Sequence, residues 1–296
     1  MDKQLIGQNL NGYIVGRSIG GGGMGRVYQA LESETQTPVA LKILLPEYAE
    51  DEQFRSRFTR EAQLMIALRH ANIVPVYAYG EWQGYLYIVM KLVKGPSLDR
   101  ILEQHPFSPL TAWQIVRPVG AALHFGHEHN VMHRDLKPGN ILVERHGEGN
   151  HVYIADFGLG KRPGLDTTLT AAGLAVGTPE YMASEAAMGE GARVSSDVYS
   201  FGVIIYELLL GRLPFDEGQP QLTALAHVDQ PVPRPRRLHP QFPARLESVI
   251  LRALEKDPTA RYPSVEALQQ AYYGAVKELD EPVRRATYWV VEPGGA

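Results

Sequence analysis

The chain has 296 residues, 44% apolar and 21% charged, enough for two lobes with separate cores and without the bias of a disordered or fibrous chain. Its net charge of −4, with the one basic run at 234–237 broken by Pro235, argues against a nucleic-acid partner. The absence of cysteine excludes disulfides, thiolate metal sites and cysteine nucleophiles.

Residues 1–12 read as an N-terminal extension without the charged-then-apolar pattern of a signal peptide. Short apolar or alternating runs then predict strands at 13–18, 27–31, 38–43, 74–79 and 85–90. Between them, Phe54, Phe58, Met65, Ile66 and Leu68 recur at helical spacing and predict a helix over 52–68. The character changes at Lys94-Gly95-Pro96, where Gly-Pro marks a loop and Ser97 stands as a helix N-cap. Helices are predicted from there at 97–104, 111–129, 195–210, 221–227, 244–253 and 264–278, with two short strands at 141–144 and 151–154. The expected division is a small β-rich lobe and hinge over 13–94, a mainly helical lobe over 95–276, and a polar tail over 277–296. The longest apolar stretch, near 201–210, is interrupted by Glu207 and is too short to cross a bilayer. The expectation is a cytoplasmic chain with no membrane span, leaving open an anchor beyond Ala296 in a longer parent.

Three constellations carry chemistry. Gly20, Gly22, Gly25 and Val27 stand at GxGxxGxV spacing within the run Ile19, Gly20, Gly21, Gly22, Gly23, Met24, Gly25. Glycines let backbone amides approach a phosphate without side-chain obstruction. A dinucleotide fingerprint would need a helix directly afterwards, whereas a strand-like run follows here, so the motif reads as a glycine hairpin over nucleotide phosphates. Lys42 sits among apolar neighbours in mid-strand and needs an anionic partner, for which Glu61 on the next helix is available. The loop from His133 to Asn140 packs His133, Arg134, Asp135, Lys137 and Asn140 into eight positions, and Asp156-Phe157-Gly158 follows the second short strand. Asn140 and Asp156 are oxygen donors of the type Mg²⁺ accepts when phosphates complete its shell.

With these motifs in this order, the chain resembles a eukaryotic-type, or Hanks-type, protein kinase catalytic domain, and is most similar to the bacterial serine/threonine kinases of that fold. Protein kinases are the type case of this phosphoryl-transfer scheme. The resemblance covers roughly residues 10–276. It implies an α+β, bilobal protein kinase-like fold, with ATP and Mg²⁺ (or Mn²⁺) as cofactors. It also implies protein substrates, and allows a homodimer formed through the small lobe. By the same resemblance Gly20, Gly22 and Gly25 cover the phosphates, Lys42 holds them and Glu61 positions Lys42. Asp135 orients the acceptor hydroxyl, Lys137 stabilises the transferring phosphate, and Asn140 and Asp156 hold the metal. Ile19, Val27, Ala40 and Leu142 form apolar walls for adenine, Met90 is the gatekeeper, the backbones of Lys91 and Val93 meet the adenine edge, and Ser97 meets the ribose.

Lys137 together with Gly177-Thr178-Pro179-Glu180-Tyr181 implies serine/threonine rather than tyrosine acceptors, with Thr178 in the substrate platform. Arg134 before the catalytic aspartate is typical of kinases switched by activation-loop phosphorylation, and Thr167, Thr168 and Thr170 lie in that loop. Autophosphorylation is expected at Thr168 and Thr170. Three positions depart from the pattern. Ser184 replaces the usual proline of Ala-Pro-Glu, with Glu185 still expected to pair with Arg261; Lys91 replaces a common hinge acid; Gly160 replaces a frequent alanine. Asp197 is expected to brace the catalytic loop. The competing readings are a pseudokinase, disfavoured because Lys42, Asp135 and Asp156 are all present, and a small-molecule kinase, disfavoured by the threonine-bearing segment.

Overall fold

The computed structural model describes residues 5–147, 149–158 and 178–290. Six antiparallel strands form the small lobe: β1 (Asn9–Leu10), β2 (Tyr13–Gly22), β3 (Gly25–Glu32), β4 (Pro38–Leu44), β5 (Val76–Trp82) and β6 (Tyr85–Lys91), in the order β1-β2-β3-β4-β6-β5. Period-two alternation assigns each residue of β4 to a face. Val39, Leu41 and Ile43 pack into one cluster with Tyr28 and Val89; Ala40 and Leu44 pack into the other with Ile88 and Met90. Lys42 falls on the second face, between Ala40 and Leu44, and is thereby aimed at the space between the lobes.

Against that face lie helix α1 (Pro46–Glu50) and helix α2 (Glu52–Ala67). Asp51 caps α2 by accepting from the Gln53 and Phe54 amides at 2.9 and 3.1 Å. Phe54, Phe58, Ala62 and Met65 form its buried stripe. Two boundaries differ from expectation. The extension is part of the lobe from Leu5 onward, because Leu5 and Leu10 are buried and β1 pairs with β2. The fifth strand starts at Val76 instead of 74, because the Val74 amide donates to Ile154 in the other lobe and Pro75 has no amide to offer β6.

The large lobe begins with α3 (Leu98–Leu102) and α4 (Pro109–Glu128), the latter opened by a capping box between Ser108 and Thr111. A hairpin follows, β7 (Ile141–His146) with β8 (Gly149–Ile154). Next come α5 (Ser184–Ala187), α6 (Val194–Leu210), α7 (Pro220–Asp229), α8 (Pro235–Leu238), α9 (Ala244–Ala253), α10 (Val265–Lys277) and α11 (Glu281–Arg285). Helix α6 is apolar around almost its whole circumference and runs through the core, with Val203, Ile204, Ile205 and Leu208 fully buried. Residues from 277, expected to form a tail, are packed through 290. Tyr288 is buried against Phe242, the Trp289 indole N–H donates to the Leu208 carbonyl at 3.1 Å, and the Val290 amide donates to Leu210 at 2.9 Å. An apolar run accounts for this: Tyr288 joins the core, and Val283, Ala286, Trp289 and Val290 pack against it.

Candidate active site

A cleft of about 1070 Å³ lies between the lobes. All the predicted nucleotide-pocket residues line it: the stretch from Ile19 to Gly25, then Val27, Ala40, Lys42, Met90, Lys91, Val93, Ser97 and Leu142. Asp135, Lys137, Asn140 and Asp156 line it too, as does Val74, which the sequence reading did not single out. The glycine run is a strand-turn-strand hairpin, with Gly22 paired to Gly25 across its tip. Gly25 is required by packing, because a Cβ there would lie 2.2 Å from the Ile43 carbonyl oxygen. At Gly20, Gly22 and Gly23 a Cβ would meet nothing within 4 Å and φ is unexceptional, so neither packing nor backbone geometry demands glycine there. A hairpin kept bare for an occupant of the cleft explains the choice. Ser97 stands at the N-cap of α3, yet its side chain makes no capping hydrogen bond and faces the cleft.

The anionic partner of Lys42 is not the expected one. Its ammonium lies 2.8 Å from Asp156 Oδ1, and Glu61 pairs with Arg134 instead, at 3.5 Å. Arg134, paired with Glu61 on α2, and Asp156, paired with Lys42 on β4, both adopt left-handed φ values, 66° and 59°. Non-glycine residues there cost about 1–3 kcal/mol each and persist only where the surroundings enforce them. Both line the cleft.

Asp197 enforces the first of them. It lies on α6, is 1% exposed, and accepts from the His133 and Arg134 amides at 2.8 and 3.0 Å and from His127 Nε2 at 2.7 Å. Burial alone would raise its pKa, but the His127 hydrogen bond and charge and the His133 amide outweigh that and hold it below the usual carboxylate range. This is the brace expected of Asp197. Burial likewise keeps His133 below its ordinary pKa, and so neutral. Its Nδ1 accepts the Asp135 amide at 3.3 Å, which leaves Nε2 to donate to the Ala155 carbonyl at 2.9 Å. One imidazole therefore ties the loop bearing Asp135 to the segment bearing Asp156. Phe157, 2% exposed, packs beside that imidazole with ring centroids 4.8 Å apart.

Around Asp135 the polar groups converge. Lys137 Nζ lies 3.0 Å from Asp135 Oδ2 and donates to Thr178 Oγ1 at 2.6 Å. Asn140 Nδ2 donates to the Asp135 carbonyl at 2.7 Å. That bond uses the amide nitrogen and leaves the Asn140 oxygen for another partner. Asn140 and Asp156 thus offer two hard oxygen ligands on one cleft. Among the described residues no group of three or more histidine, cysteine, aspartate or glutamate side chains could hold a metal by itself. Few protein ligands beside a phosphate site is the donor set Mg²⁺ favours, so the residues fit the ion. Thr167, Thr168, Thr170, Gly160 and Gly177 lie outside the described residues.

Two features stabilise the platform carrying Thr178. Glu185 and Arg261, 1% and 2% exposed, form a two-pronged pair at 2.9 and 2.8 Å as expected. Ser184 does more than stand in for proline: its hydroxyl donates to the Lys256 carbonyl at 2.9 Å and accepts from Arg261 at 3.1 Å. The second feature was missed. Tyr181 donates to Glu207 at 2.7 Å, joining the platform to α6. The signal was present, since Glu207 is the acid that interrupts the most apolar stretch of the chain.

Burial raises the Glu207 pKa, the Tyr181 hydrogen bond partly offsets this, and the charges of Asp99 and Glu180 raise it further, so that it is pushed up to about 7. The folded chain keeps this proton where the unfolded chain loses it. The stabilisation is therefore complete below about pH 4.5 and is lost as pH rises through about 7. Glu207→Gln, neutral at every pH, is expected to match the wild-type urea midpoint near pH 4 and to exceed it at pH 8. Parallel midpoints across that range would count against the assignment.

A family model described as "Protein kinase domain" matches residues 13–273. The serine/threonine-protein kinase PrkC of Bacillus subtilis is 38% identical over 267 residues, which are 90% of this chain and 41% of that protein. The serine/threonine-protein kinase PknD of Mycobacterium tuberculosis is 36% identical over 278 residues, 93% of this chain and 41% of that one. The chain thus spans less than half the length of these curated relatives. A crystal structure of the Mycobacterium tuberculosis PknI kinase domain superposes with a TM-score of 0.71 at 28% identity, covering 91% of this chain and 98% of that domain. With the lobes, the cleft and the convergent groups described above, the chain belongs to the protein kinase domain family, among its bacterial Hanks-type members.

Proposed function

We propose that this chain transfers the γ-phosphoryl group of ATP to serine and threonine hydroxyls of proteins, with Mg²⁺ as its metal and its own activation segment among the substrates. The observation that carries the reading is Lys137, whose single ammonium contacts both Asp135 and Thr178. The group expected to orient an acceptor hydroxyl is thereby tied to the segment expected to seat it. In this reading Asp135 takes the hydroxyl proton as the hydroxyl oxygen bonds to the γ-phosphorus, the bond from that phosphorus to the bridging oxygen breaks and ADP leaves, and Lys137 offsets charge on the transferring oxygens. Lys42 and the bare glycine hairpin hold the phosphates. Asn140 and Asp156 would hold Mg²⁺, which would supply positive charge to offset that on the phosphate oxygens. Positioning and charge neutralisation supply most of the acceleration in such a reaction. With ATP as donor, a cytoplasmic setting goes with the proposal. A second copy of the chain, met as a homodimer, is the first protein substrate to test.

Incubation of the purified chain with ATP and Mg²⁺, followed by phosphosite mapping, is the test. Phosphate on serine or threonine, including Thr168 and Thr170, is expected, and none in Asp135→Asn. An unmodified wild-type chain that binds ATP and also leaves protein substrates unmodified would overturn the reading. Phosphate confined to other threonines or serines would overturn only the assignment of Thr168 and Thr170.

A further inference from the structure

Lys91 opens the hinge between the lobes, and its inverted charge has a built partner. Its ammonium lies 2.8 Å from Glu144 Oε2 and also donates to the Tyr153 hydroxyl. The other oxygen of the same carboxylate, Oε1, accepts the Lys94 backbone N–H at 2.9 Å. One side chain on β7 therefore holds both ends of the hinge segment 91–94. The group is half sheltered, with Glu144 15% and Lys91 26% exposed, so the attraction is less screened than in a surface pair. The Glu144 hydrogen bonds to Lys91 and Lys94 hold its pKa below the usual carboxylate range, which keeps the pair charged.

The surrounding backbone is anchored to the same strand. The Val143 amide donates to the Pro96 carbonyl at 2.9 Å, and Gly95 lies so close to β7 that a Cβ would fall 1.9 Å from the Val143 oxygen. Alternation along β7 places Leu142 and Glu144 on one face. Leu142 packs with the apolar group that includes Ala40 and Met90 and lines the cleft, while Glu144 grips the hinge beside it. The floor of the cleft and the edge of the hinge are thus set by neighbouring positions of a single strand.

We propose that Glu144, with Lys91 and Tyr153, is a positioning device for the nucleotide: it fixes the hinge backbone at Lys91 and Val93 and so sets affinity for the adenine end without touching it. This rests on the reading that adenine seats on the hinge. The device acts on ground-state binding, so its removal is expected to weaken nucleotide binding and leave the chemical step alone.

The test uses the purified chain with Lys91→Met, Lys91→Arg, Glu144→Ala and the Lys91→Met/Glu144→Ala double variant. Dissociation constants are measured for adenosine and for ATP with Mg²⁺, together with kcat and thermal melting. Lys91→Met and Glu144→Ala are each expected to weaken both ligands about 3–10-fold, and Glu144→Ala, which lies outside the cleft lining, to keep kcat within about twofold. Lys91→Arg is expected to weaken both ligands less than Lys91→Met, and the double variant to be no worse than Glu144→Ala alone, as for two residues of one unit. Unchanged dissociation constants, a loss of kcat in step with affinity, or a fall in melting temperature alone would overturn the proposal. Comparing ATP with inorganic triphosphate on the wild-type chain separates the two readings. If the adenosine moiety adds no affinity, the hinge seat itself fails; if it adds affinity and the variants change nothing, only the tether fails.

Discussion

Asp135→Asn is expected to lower the rate of phosphoryl transfer about 10²–10⁴-fold while leaving ATP binding within a few-fold of wild type, the range usual for loss of a positioned general base. Asparagine keeps the shape of the side chain and can still hydrogen-bond, but it takes up no proton. The change loses the ion pair with Lys137 but spares the backbone of the loop. The loop is held by Asp197 through the His133 and Arg134 amides, by the His133 imidazole through Ala155, and by Asn140 through the residue 135 backbone carbonyl, none of which uses the Asp135 carboxylate. Single-turnover kinetics with a serine-containing protein substrate, alongside calorimetric ATP binding, would check it. Retention of more than about a tenth of the rate would remove Asp135 from its proposed role.

Arg261→Met is expected to cost about 3–5 kcal/mol, because it strands the Glu185 carboxylate in the core. That is a large share of the roughly 5–15 kcal/mol available to a folded domain, and corresponds to a fall in melting temperature on the order of 10 °C. Arginine at this site satisfies more than one acceptor: beyond Glu185 it donates to the Glu255 backbone carbonyl at 2.7 Å and the Ser195 backbone carbonyl at 2.9 Å. Removing both charges in Glu185→Leu/Arg261→Met is expected to recover much of the loss, since a buried pair repays little beyond its own desolvation. Ser184→Ala should cost only about 1 kcal/mol, the ordinary worth of a neutral hydrogen bond. Urea melts of the wild type and the three variants would check the series. A double variant less stable than Arg261→Met would contradict it.

How far the sequence reached depended on whether a feature is local. Period-two runs in the small lobe and helical spacing at Phe54, Phe58 and Met65 yielded the strands and the helix, because burial of one face is written directly into residue spacing. Misses came where distant residues competed. The fifth strand lost its first two residues because the Val74 amide is taken by Ile154, and the last stretch reads as a tail because a short apolar run at 286–290 does not show where it docks.

The same distinction runs through the site. By itself the sequence determined which chemical groups the chain possesses and in what order: the bare glycine hairpin, Lys42, the loop from His133 to Asn140, Asp156, and a lone acid at Glu207. It also required partners for the ammonium of Lys42 and the carboxylate of Glu185, since neither is tolerated unpaired in a buried setting. Arg261 is the partner the resemblance implied for Glu185, whereas the remaining pairs emerge only in the folded chain. Lys42 meets Asp156, Glu61 meets Arg134, Lys91 meets Glu144, and Glu207 meets Tyr181. Electrostatic attraction selects the nearest acid in space, within a few ångströms, and chain separation does not report that distance. Lys42 and Asp156 are separated by more than a hundred residues in the chain, yet lie 2.8 Å apart in the fold.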